Sequence, residues 1–520
     1  MSSLSVPVAQ KISSPPPGAD PADRVVGSLQ RVALVLALAA VFFICMLPIA
    51  ITDFWWQLRA GEVILRTGRI PYHDPFSWTA AGQPWMLHEW LTEVLFYLLY
   101  RHLPSWVLLG FKCGLAVAAC YLVHLRSRLR TGSTPFGIAA AVAAACVMQN
   151  FADLRPQMIS FVSIAGLLLA LDEYQCGRWQ KLPWVIPAAF ALWANFHGGV
   201  VVGLILLGVW IAGQAAGYVL WRDPAPGLGR LALSLAVSCL TVAINPNGFH
   251  LYVYPFQVLG HPEVMNYIAE WYSPDFHQPK MRAFELLLLG TLVSVALACR
   301  SHSERRLGDV LLLAATAHAA LVSQRNTVLF ALVAAPLLVA GLAALWNEAA
   351  AASWLNRLQR LPALRIGVST SLVAALGVLL YIQVPRKAPG QWFDYAARMH
   401  EFPRAAVPLL KEGMWPGKLY NDYAWGGYLI WTLYPDRPVF IDGRAEVYYP
   451  TKAFDDEMKI HTAAEGWMDV LNRRQVDVIL TNKVGYLALA LRTAPAWKLA
   501  FTGDAEVVYV RIKPGEVAGS

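Results

Sequence analysis

"TDFWWQLRAGEVI", residues 52–64, follows directly on the first long apolar run of the chain, Val32 to Ile51. That run is about 20 residues, and at about 1.5 Å per residue a helix of that length matches a hydrocarbon core of about 30 Å. The quoted stretch therefore begins where a chain leaves a bilayer. Tryptophan suits such a place because its amphipathic ring rests among headgroups. Asp53 has no such reason to be there, and it opens two readings. It could cap the amphipathic helix that follows. Alternatively, it is a carboxylate that deprotonates an acceptor hydroxyl or holds a divalent cation, its pKa tuned by partial desolvation.

The rest of the sequence agrees with a membrane setting. Of the 520 residues 57% are hydrophobic and 15% charged, with mean hydropathy +0.44, whereas a soluble chain is about a quarter charged. Ten further apolar runs lie near 105–125, 135–151, 157–171, 182–196, 198–221, 231–244, 284–299, 309–322, 328–346 and 367–384. The chain reads as an α-helical polytopic membrane protein with about 11–12 transmembrane helices and a small C-terminal α/β domain. The Pro-rich head, Ser13 to Asp23, is not the compact basic start of a signal peptide. Residues 1–30 are expected to be a disordered cytoplasmic tail ahead of an uncleaved span.

Charge sets the expected topology. With the amino terminus inside and eleven spans, the inside segments hold clusters at Arg126–Arg130, Arg178–Lys181, Arg222–Arg230, Arg300–Arg306 and Arg357–Arg365. The outside loops after the first keep only Arg155, Lys280, Arg282 and Arg325, which is the positive-inside bias. The same bias accounts for the net charge of +8 without nucleic acid. This parity makes "LHEWLTEVLFYLLYRHL", residues 87–103, an interfacial or re-entrant helix inside a large external loop, 52–104. Residues 31–384 form the membrane domain. Beyond Pro385 the pieces "KLYND", "PVFIDGR", "VDVILTN" and "EVVYVR" read as strands among helices, one of them at Phe402 to Lys411. This domain, 385–520, would lie outside. Seven cysteines, none after Cys299, show no disulfide framework or zinc spacing.

Under this topology the unusual polar residues share one side. The first loop holds Asp53, Gln57, Arg59, His73, Asp74, His88 and Glu89. Later loops add Asp153, Arg155, Gln157, "NFHGG" with His197, "NPNGFH", "EWYSPDF" with Glu270, and "QRN" with Arg325. Such an asymmetry points to an external site at the membrane boundary, roofed by the terminal domain. Each residue also has a plainer reading. Arg155, Arg325 and Lys280 can fork onto phosphate oxygens, or form a salt bridge or snorkel. "HEW" can be a second acid beside an imidazole, or a solvated helix face. His197 sits at a break whose glycines allow close backbone approach, or simply in a turn. Asp422, Asp442 and Arg444 stand at expected strand ends, where ligands bind in α/β folds, although Asp-Gly there also makes turns. The sequence lacks a P-loop, GxGxxG, HExxH and DxD, which argues against an ATPase, a dehydrogenase, a zincin or a soluble nucleotide-sugar transferase.

Read whole, "DFWWQLRAGEVILRTGRIPYHDPFSWTAAGQPWMLHEW" resembles the opening external loop of bacterial integral-membrane glycosyltransferases of the GT-C superfamily. It is most similar to the dolichyl-phosphate-mannose-type and lipid A-modifying transferases. "LWANFHGG", "INPNGFHLYVYPF", "EWYSPDF" and "NDYAWGGYLIW" with "VFIDGR" look like companion blocks, so the likeness spans most of the chain. The resemblance implies a polyprenyl-phosphate sugar donor and a cell-envelope acceptor, brought together at the outer face of the bacterial cytoplasmic membrane. It implies Asp53 as catalytic acid group with Glu89 as the second, and Arg155 and Arg325 at the donor phosphate. Gln57, His88, His197 and Glu270 would line the substrate. "DF" stands where the best-known members have an adjacent Asp-Glu pair, so whether Asp53 acts alone, and whether a divalent cation takes part, stays open.

Such transfer needs no nucleotide outside the cell, because the lipid phosphate is already a leaving group, and it is expected to invert the anomeric carbon. Two rivals differ in class. A transporter predicts mid-membrane polar residues and internal repeats. A non-catalytic, ligase-like or polymerase-like component of surface polysaccharide assembly would keep the topology without needing Asp53.

Overall fold

The computed structural model describes residues 20–46, 52–223, 225–260, 268–298, 307–350 and 361–512. Each apolar run of the sequence is helical over most of its described residues. Seven helices are long and apolar enough to cross a membrane: Pro21–Ile44 (α1), Ser105–Thr131 (α4), Thr134–Phe151, Gln157–Gln175 (α6), Val200–Trp221 (α8), Gln324–Asn347 and Pro362–Gln383. The Thr134–Phe151 span is the α-helix Thr134–Met148 (α5) with one 3-10 turn added. Shorter apolar helices are Leu182–Phe196 (α7), Leu228–Thr241 (α9) and Leu307–Val322, and the 284–299 run appears as Arg282–Ala298.

The first helix starts earlier than its apolar run. Asp20 accepts the Ala22 amide at 2.9 Å and Pro21 occupies the first turn, the arrangement that opens a helix with its orphan N–H groups satisfied. The cytoplasmic tail expected over residues 1–30 is therefore helical from Pro21 onward. Its first nineteen residues lie outside the described ones. α1 packs along Pro362–Gln383, so the first and last spans are neighbours.

Phe54–Thr67 (α2) and Trp90–His102 (α3) both belong to the first loop. With 13 residues α3 is about 20 Å long, too short to span, as the charge parity requires.

Two of the basic residues assigned to positive-inside bias have a further role. Arg126 and Arg130 both reach Asp172, at 3.0 Å and 2.5 Å, and Arg130 also reaches Asp309 at 2.7 Å. This buried network joins α4, α6 and Leu307–Val322. The desolvation of its charges offsets much of their attraction, so such a network is weak evidence for added stability.

The terminal domain carries a four-stranded sheet in the order β1-β2-β4-β3, made of Leu419–Asn421 (β1), Val478–Asn482 (β2), Trp497–Thr502 (β3) and Glu506–Arg511 (β4). β1 runs parallel to β2, with Leu419 beside Val478, and the remaining pairs are antiparallel, with Ile479 beside Tyr509 and Leu499 beside Tyr509. The expected helix at Phe402 to Lys411 is shorter, Ala406–Lys411.

"PVFIDGR" is not a strand of this sheet. The Val439 amide donates to Phe76 O at 3.1 Å and Trp78 N donates to Val439 O at 3.0 Å. Asn421 takes the Phe440 amide and donates to Ile441 O, each at 2.8 Å. The backbone groups a sheet would use are thus bonded to the first loop and to one asparagine. Trp78 Nε1 adds a bond to Leu419 O at 2.9 Å. One hydrophobic core runs from Phe54, Trp85 and Phe96 of the loop to Leu429, Ile441 and Ile479 of the domain. The boundary drawn between a membrane domain ending at 384 and a separate domain from 385 therefore does not hold for the loop, which is built into the terminal domain.

Candidate active site at the membrane boundary

Asp53 occupies the residue before α2, yet its side chain makes no capping bond. It turns instead to Arg155, whose Nη2 lies 2.8 Å from Oδ2, and to Trp56, whose Nε1 donates to Oδ1 at 3.3 Å. Arg155 sits in the turn between α5 and α6, and its Nη1 donates to Glu270 Oε1 at 2.7 Å. One guanidinium thus holds two carboxylates from segments more than a hundred residues away on either side, in the bidentate manner that favours arginine.

Glu270 lies in the 3-10 turn Ala269–Trp271. That turn is tied to the start of the Gln324–Asn347 span, because Ser323 Oγ donates to Glu270 O at 3.0 Å and the Gln324 amide to Tyr272 O at 2.8 Å. The tie lays the Arg325 guanidinium over the Trp271 ring, 4.5 Å from its centre, a cation–π contact. Arg325 has no carboxylate in salt-bridge contact among the described residues.

Glu89 heads α3 and forms the second centre. Gln57 Nε2 donates to its Oε2 at 3.0 Å, while Oε1 faces His88 Nε2 at 3.2 Å and His197 Nε2 at 3.5 Å. His197 is the residue that ends α7. Its Nδ1 accepts from the Gly199 amide at 3.0 Å and lies 2.7 Å from Ser160 Oγ. With Nδ1 accepting, the ring proton belongs on Nε2, directed at Glu89. The glycines of "NFHGG" have a steric reason: a Cβ on Gly198 would come within 3.0 Å of His88, and one on Gly199 within 2.5 Å of Ser160 Oγ. His88 also lies against Tyr254, ring centres 4.2 Å apart. Ser160 is no nucleophile, since it is buried and its oxygen already accepts from Trp193 Nε1 at 2.8 Å.

Electrostatics separate these groups. Burial pushes the Asp53 carboxyl above the ordinary carboxylate range, Arg155 opposing and Glu270 and Glu89 adding to the rise. Burial works on Glu89 and Glu270 in the same sense, but His88 and His197 hold Glu89 below its ordinary value, and Arg155 and Arg325 do so for Glu270. For His88 burial favours the neutral ring, yet Glu89 outweighs it and raises the imidazole. His197 is carried by burial down to about 4 and stays neutral. Two carboxylates held as anions beside one of raised basicity is the separation expected where acid and base roles divide.

Asp53, Gln57, His88, Glu89, Arg155, His197, Glu270 and Arg325 are therefore gathered in one region. Other residues singled out in the sequence lie elsewhere. Lys280 is exposed near Asp275. Arg59 pairs with Glu62 and lies over Trp431, 4.7 Å from the ring centre. Asp422 serves the sheet, accepting from Thr481 Oγ1 at 2.8 Å and the Asn482 amide at 2.9 Å. Asp442 and Asp74 both bind Arg444, at 2.6 Å and 2.8 Å, with no exposure of the arginine side chain. Asp74 also accepts the amides of Phe76 and Ser77. These three are the pin between loop and domain rather than a ligand site.

Gly443 was not singled out by its Asp-Gly pattern beyond a turn. A Cβ there would stand 1.9 Å from Asp53 Oδ1, so "IDGR" is the wall against which Asp53 is set. Gly427 plays the same part for the preceding residue, with Thr52 O only 2.1 Å from its would-be Cβ. Glu93 and Glu446, both shifted upward by burial, were also missed. Glu93 had a visible signal, since it stands one helical turn after Glu89 in "HEWLTE".

No protein-family model matches the sequence, and no curated protein sequence does. Solved structures do match the fold. The archaeal oligosaccharyltransferase AglB from Archaeoglobus fulgidus, in complex with an inhibitory peptide and a dolichol-phosphate, is 12% identical over 88% of this chain and 69% of its own, with a TM-score of 0.60. The oligosaccharyltransferase of the same organism tethered to an acceptor peptide is 13% identical, covering 94% and 74%, with a TM-score of 0.61. ArnT from Cupriavidus metallidurans in the apo state is 15% identical over 95% of this chain and 99% of its own, with a TM-score of 0.50. At such identities the likeness is one of architecture, and by that architecture the chain is a multi-pass membrane protein with the fold shared by these solved structures.

Proposed function

We propose that the protein is a membrane glycosyltransferase that moves a sugar from a polyprenyl-phosphate donor to a cell-envelope acceptor at the outer face of the cytoplasmic membrane. The observation that carries this reading is the convergence of Asp53, Glu89, Arg155, Glu270 and Arg325 from five separate segments, where the spans meet the terminal domain. The two Archaeoglobus structures of like fold are oligosaccharyltransferases by name, and one of them holds a dolichol-phosphate, which supports a lipid phosphate as donor here.

In this reading Asp53 accepts the proton of the acceptor hydroxyl as the acceptor oxygen bonds to the anomeric carbon. The bond from that carbon to the phosphate oxygen breaks, its electron pair stays on the phosphate, and the anomeric centre inverts. Arg325 meets the developing phosphate charge, since it alone of the two arginines carries no carboxylate among the described residues. Arg155, expected at the phosphate as well, is engaged by Asp53 and Glu270, so we assign it to orienting the base. Glu89, held as an anion between His88 and His197, accepts hydrogen bonds from substrate hydroxyls instead of donating a proton.

A divalent cation bridging Asp53 and Glu270 does not fit this arrangement. The Arg155 guanidinium stands between the two carboxylates at 2.8 Å and 2.7 Å, so their charge is already met by one cation.

The test is transfer by purified protein in nanodiscs, given a labelled polyprenyl-phosphate sugar and envelope acceptor fractions. Asp53→Asn keeps the shape and removes the basicity, and loss of a general base costs about 10² to 10⁴ in rate. A variant that keeps more than about half of a chemistry-limited rate would return Asp53 to a structural role.

A further inference from the structure

Behind the site lies a buried group that the proposed reaction does not use. Glu93 has no exposed surface, and neither of its carboxylate oxygens has a hydrogen-bond partner. It stands one turn after Glu89 on α3, on the face that packs against α2. There a Cβ on Gly61 would come within 2.2 Å of Glu93 O, one turn beyond the Gln57 to Glu89 bond.

Two neighbours in this region are also unsatisfied. Gln57 uses its Nε2 on Glu89, and its Oε1 accepts nothing. Arg444 spends Nε and Nη2 on Asp442 and Asp74, and its Nη1 donates to nothing. With Glu93 ionised, these three residues leave three buried acceptor oxygens unpaired against one unpaired donor, an expensive imbalance away from solvent. One proton on Glu93 corrects it, because a carboxylic acid donates through one oxygen and accepts at the other. Two donors then match two acceptors.

Charge agrees with that count. The groups facing Glu93 are Glu89 on its own helix and Arg444 from the terminal domain. Arg444 is already offset by two carboxylates, and Glu89 is the anion that His88 and His197 sustain. Burial and Glu89 both push the Glu93 carboxyl well above its ordinary range.

We propose that Glu93 is a positioning residue held as a neutral acid, whose O–H donates to Gln57 Oε1 and so fixes the Gln57 amide that presents Glu89 to the substrate. Without that donor the amide is free to flip, which would set its oxygen against the Glu89 anion. The kinetic part rests on the glycosyltransferase reading, and the protonation part does not.

The experiment compares wild type, Glu93→Gln and Glu93→Met in nanodiscs at neutral pH. Infrared difference spectra should show the carboxylic-acid C=O band of a protonated buried acid in wild type and its loss in both variants. In transfer assays Glu93→Gln, which keeps a donor, should stay within about threefold of wild type. Glu93→Met, similar in volume but without one, should lose about tenfold in kcat/KM, a factor of ten being about 1.4 kcal/mol.

Absence of the band in wild type overturns the proposal. So does Glu93→Gln behaving like Glu93→Met, which would call for an anion, or Glu93→Met matching wild type, which would leave Glu93 as filler. A band that behaves as expected in a protein with no transfer activity would sustain the neutral acid and refute the glycosyltransferase reading.

Discussion

Gly443→Ala is the sharpest test of how the terminal domain serves the site, because it alters neither charge nor any proposed catalytic group. The added methyl would stand 1.9 Å from Asp53 Oδ1, 3.2 Å from its Cγ and 3.4 Å from Trp56 Nε1. Restoring an ordinary contact of 3.4 Å to the oxygen takes a shift of about 1.5 Å. The Asp53 bond to Arg155, now 2.8 Å, does not survive a shift of that size, since hydrogen bonds fade beyond about 3.2 Å. Rotating the carboxylate away from the methyl moves Oδ2 as well, so the pairing suffers either way.

Overpacking of this kind costs about 1–3 kcal/mol, and a misplacement of about 1 Å at a reacting group costs about 10²-fold in rate. The expected outcome is a Gly443→Ala protein that inserts and folds with a modestly lower Tm and transfers sugar about a hundredfold more slowly. Gly110→Ala in α4, where nothing lies within 4 Å of the new atom, is the control and should match wild type. A Gly443→Ala variant within about threefold of the wild-type rate would show that Asp53 need not be held against "IDGR", and the geometric argument would fail.

The two arginines should respond differently to lysine. Arg325→Lys is expected to weaken binding of a polyprenyl-phosphate sugar about tenfold, or about 1.4 kcal/mol, with little change in Tm, and unchanged affinity would remove it from the phosphate. Arg155→Lys should instead lower kcat with donor affinity kept, because one ammonium cannot fork between Asp53 and Glu270; a loss confined to donor affinity would reverse the assignment. The His88–Glu89 pair makes a pH prediction. His88 is raised above 6.5, so the stability it lends is complete below that value and is lost as pH rises through the raised one. Glu89 is lowered below 4.5, so its share is present above that value and is lost as pH falls through the depressed one. Tm should therefore peak between these limits, and His88→Gln should flatten the alkaline decline; an unchanged decline would place the titrating group elsewhere. For topology, in a background stripped of other cysteines, a cysteine at Ser273 should react with an impermeant thiol reagent in intact cells while the native exposed Cys176 is protected, and the opposite pattern would invert the chain.

The helical part of the fold was legible because burial in lipid leaves long apolar runs that only helices can satisfy. That argument covers the runs from Val32 to Gln383 whatever their neighbours. The gathering of polar residues at one end of the helices was legible from the charge bias of the loops between those runs, which brought Asp53, Glu89, Arg155 and Arg325 into one list. Their partners were not legible. That Arg155 is divided between Asp53 and Glu270, 102 residues before it and 115 after, depends on how α2, α6 and the 269–271 turn come together. The strand expected at "PVFIDGR" failed on a long-range competitor, the first loop, which takes the Val439 amide and carbonyl. Asp53 looked like a helix cap because position alone suggests one. The structure sets it against Gly443 and Arg155 instead.

The same long-range contacts change what the terminal domain is for. A roof could be lifted from a site and leave the site's floor intact. Here Asp53 is bounded by Gly443, Thr52 by Gly427, and the loop's backbone by Val439. The pin that holds them, Asp74 to Arg444 to Asp442, is buried without exposure on either side, and breaking one partner of such a cluster strands a charge in the interior. The proposed base, Asp53, is thus placed by residues near 427–445, while the cation proposed for the donor phosphate, Arg325, is placed by the opening of a span. Motion of the terminal domain relative to the membrane helices would change the distance between base and phosphate. The two halves of the site, rooted in different parts of the fold, are joined by the Arg155 guanidinium, which holds both Asp53 and Glu270, the latter in the turn bonded to Ser323 and Gln324 where that span begins.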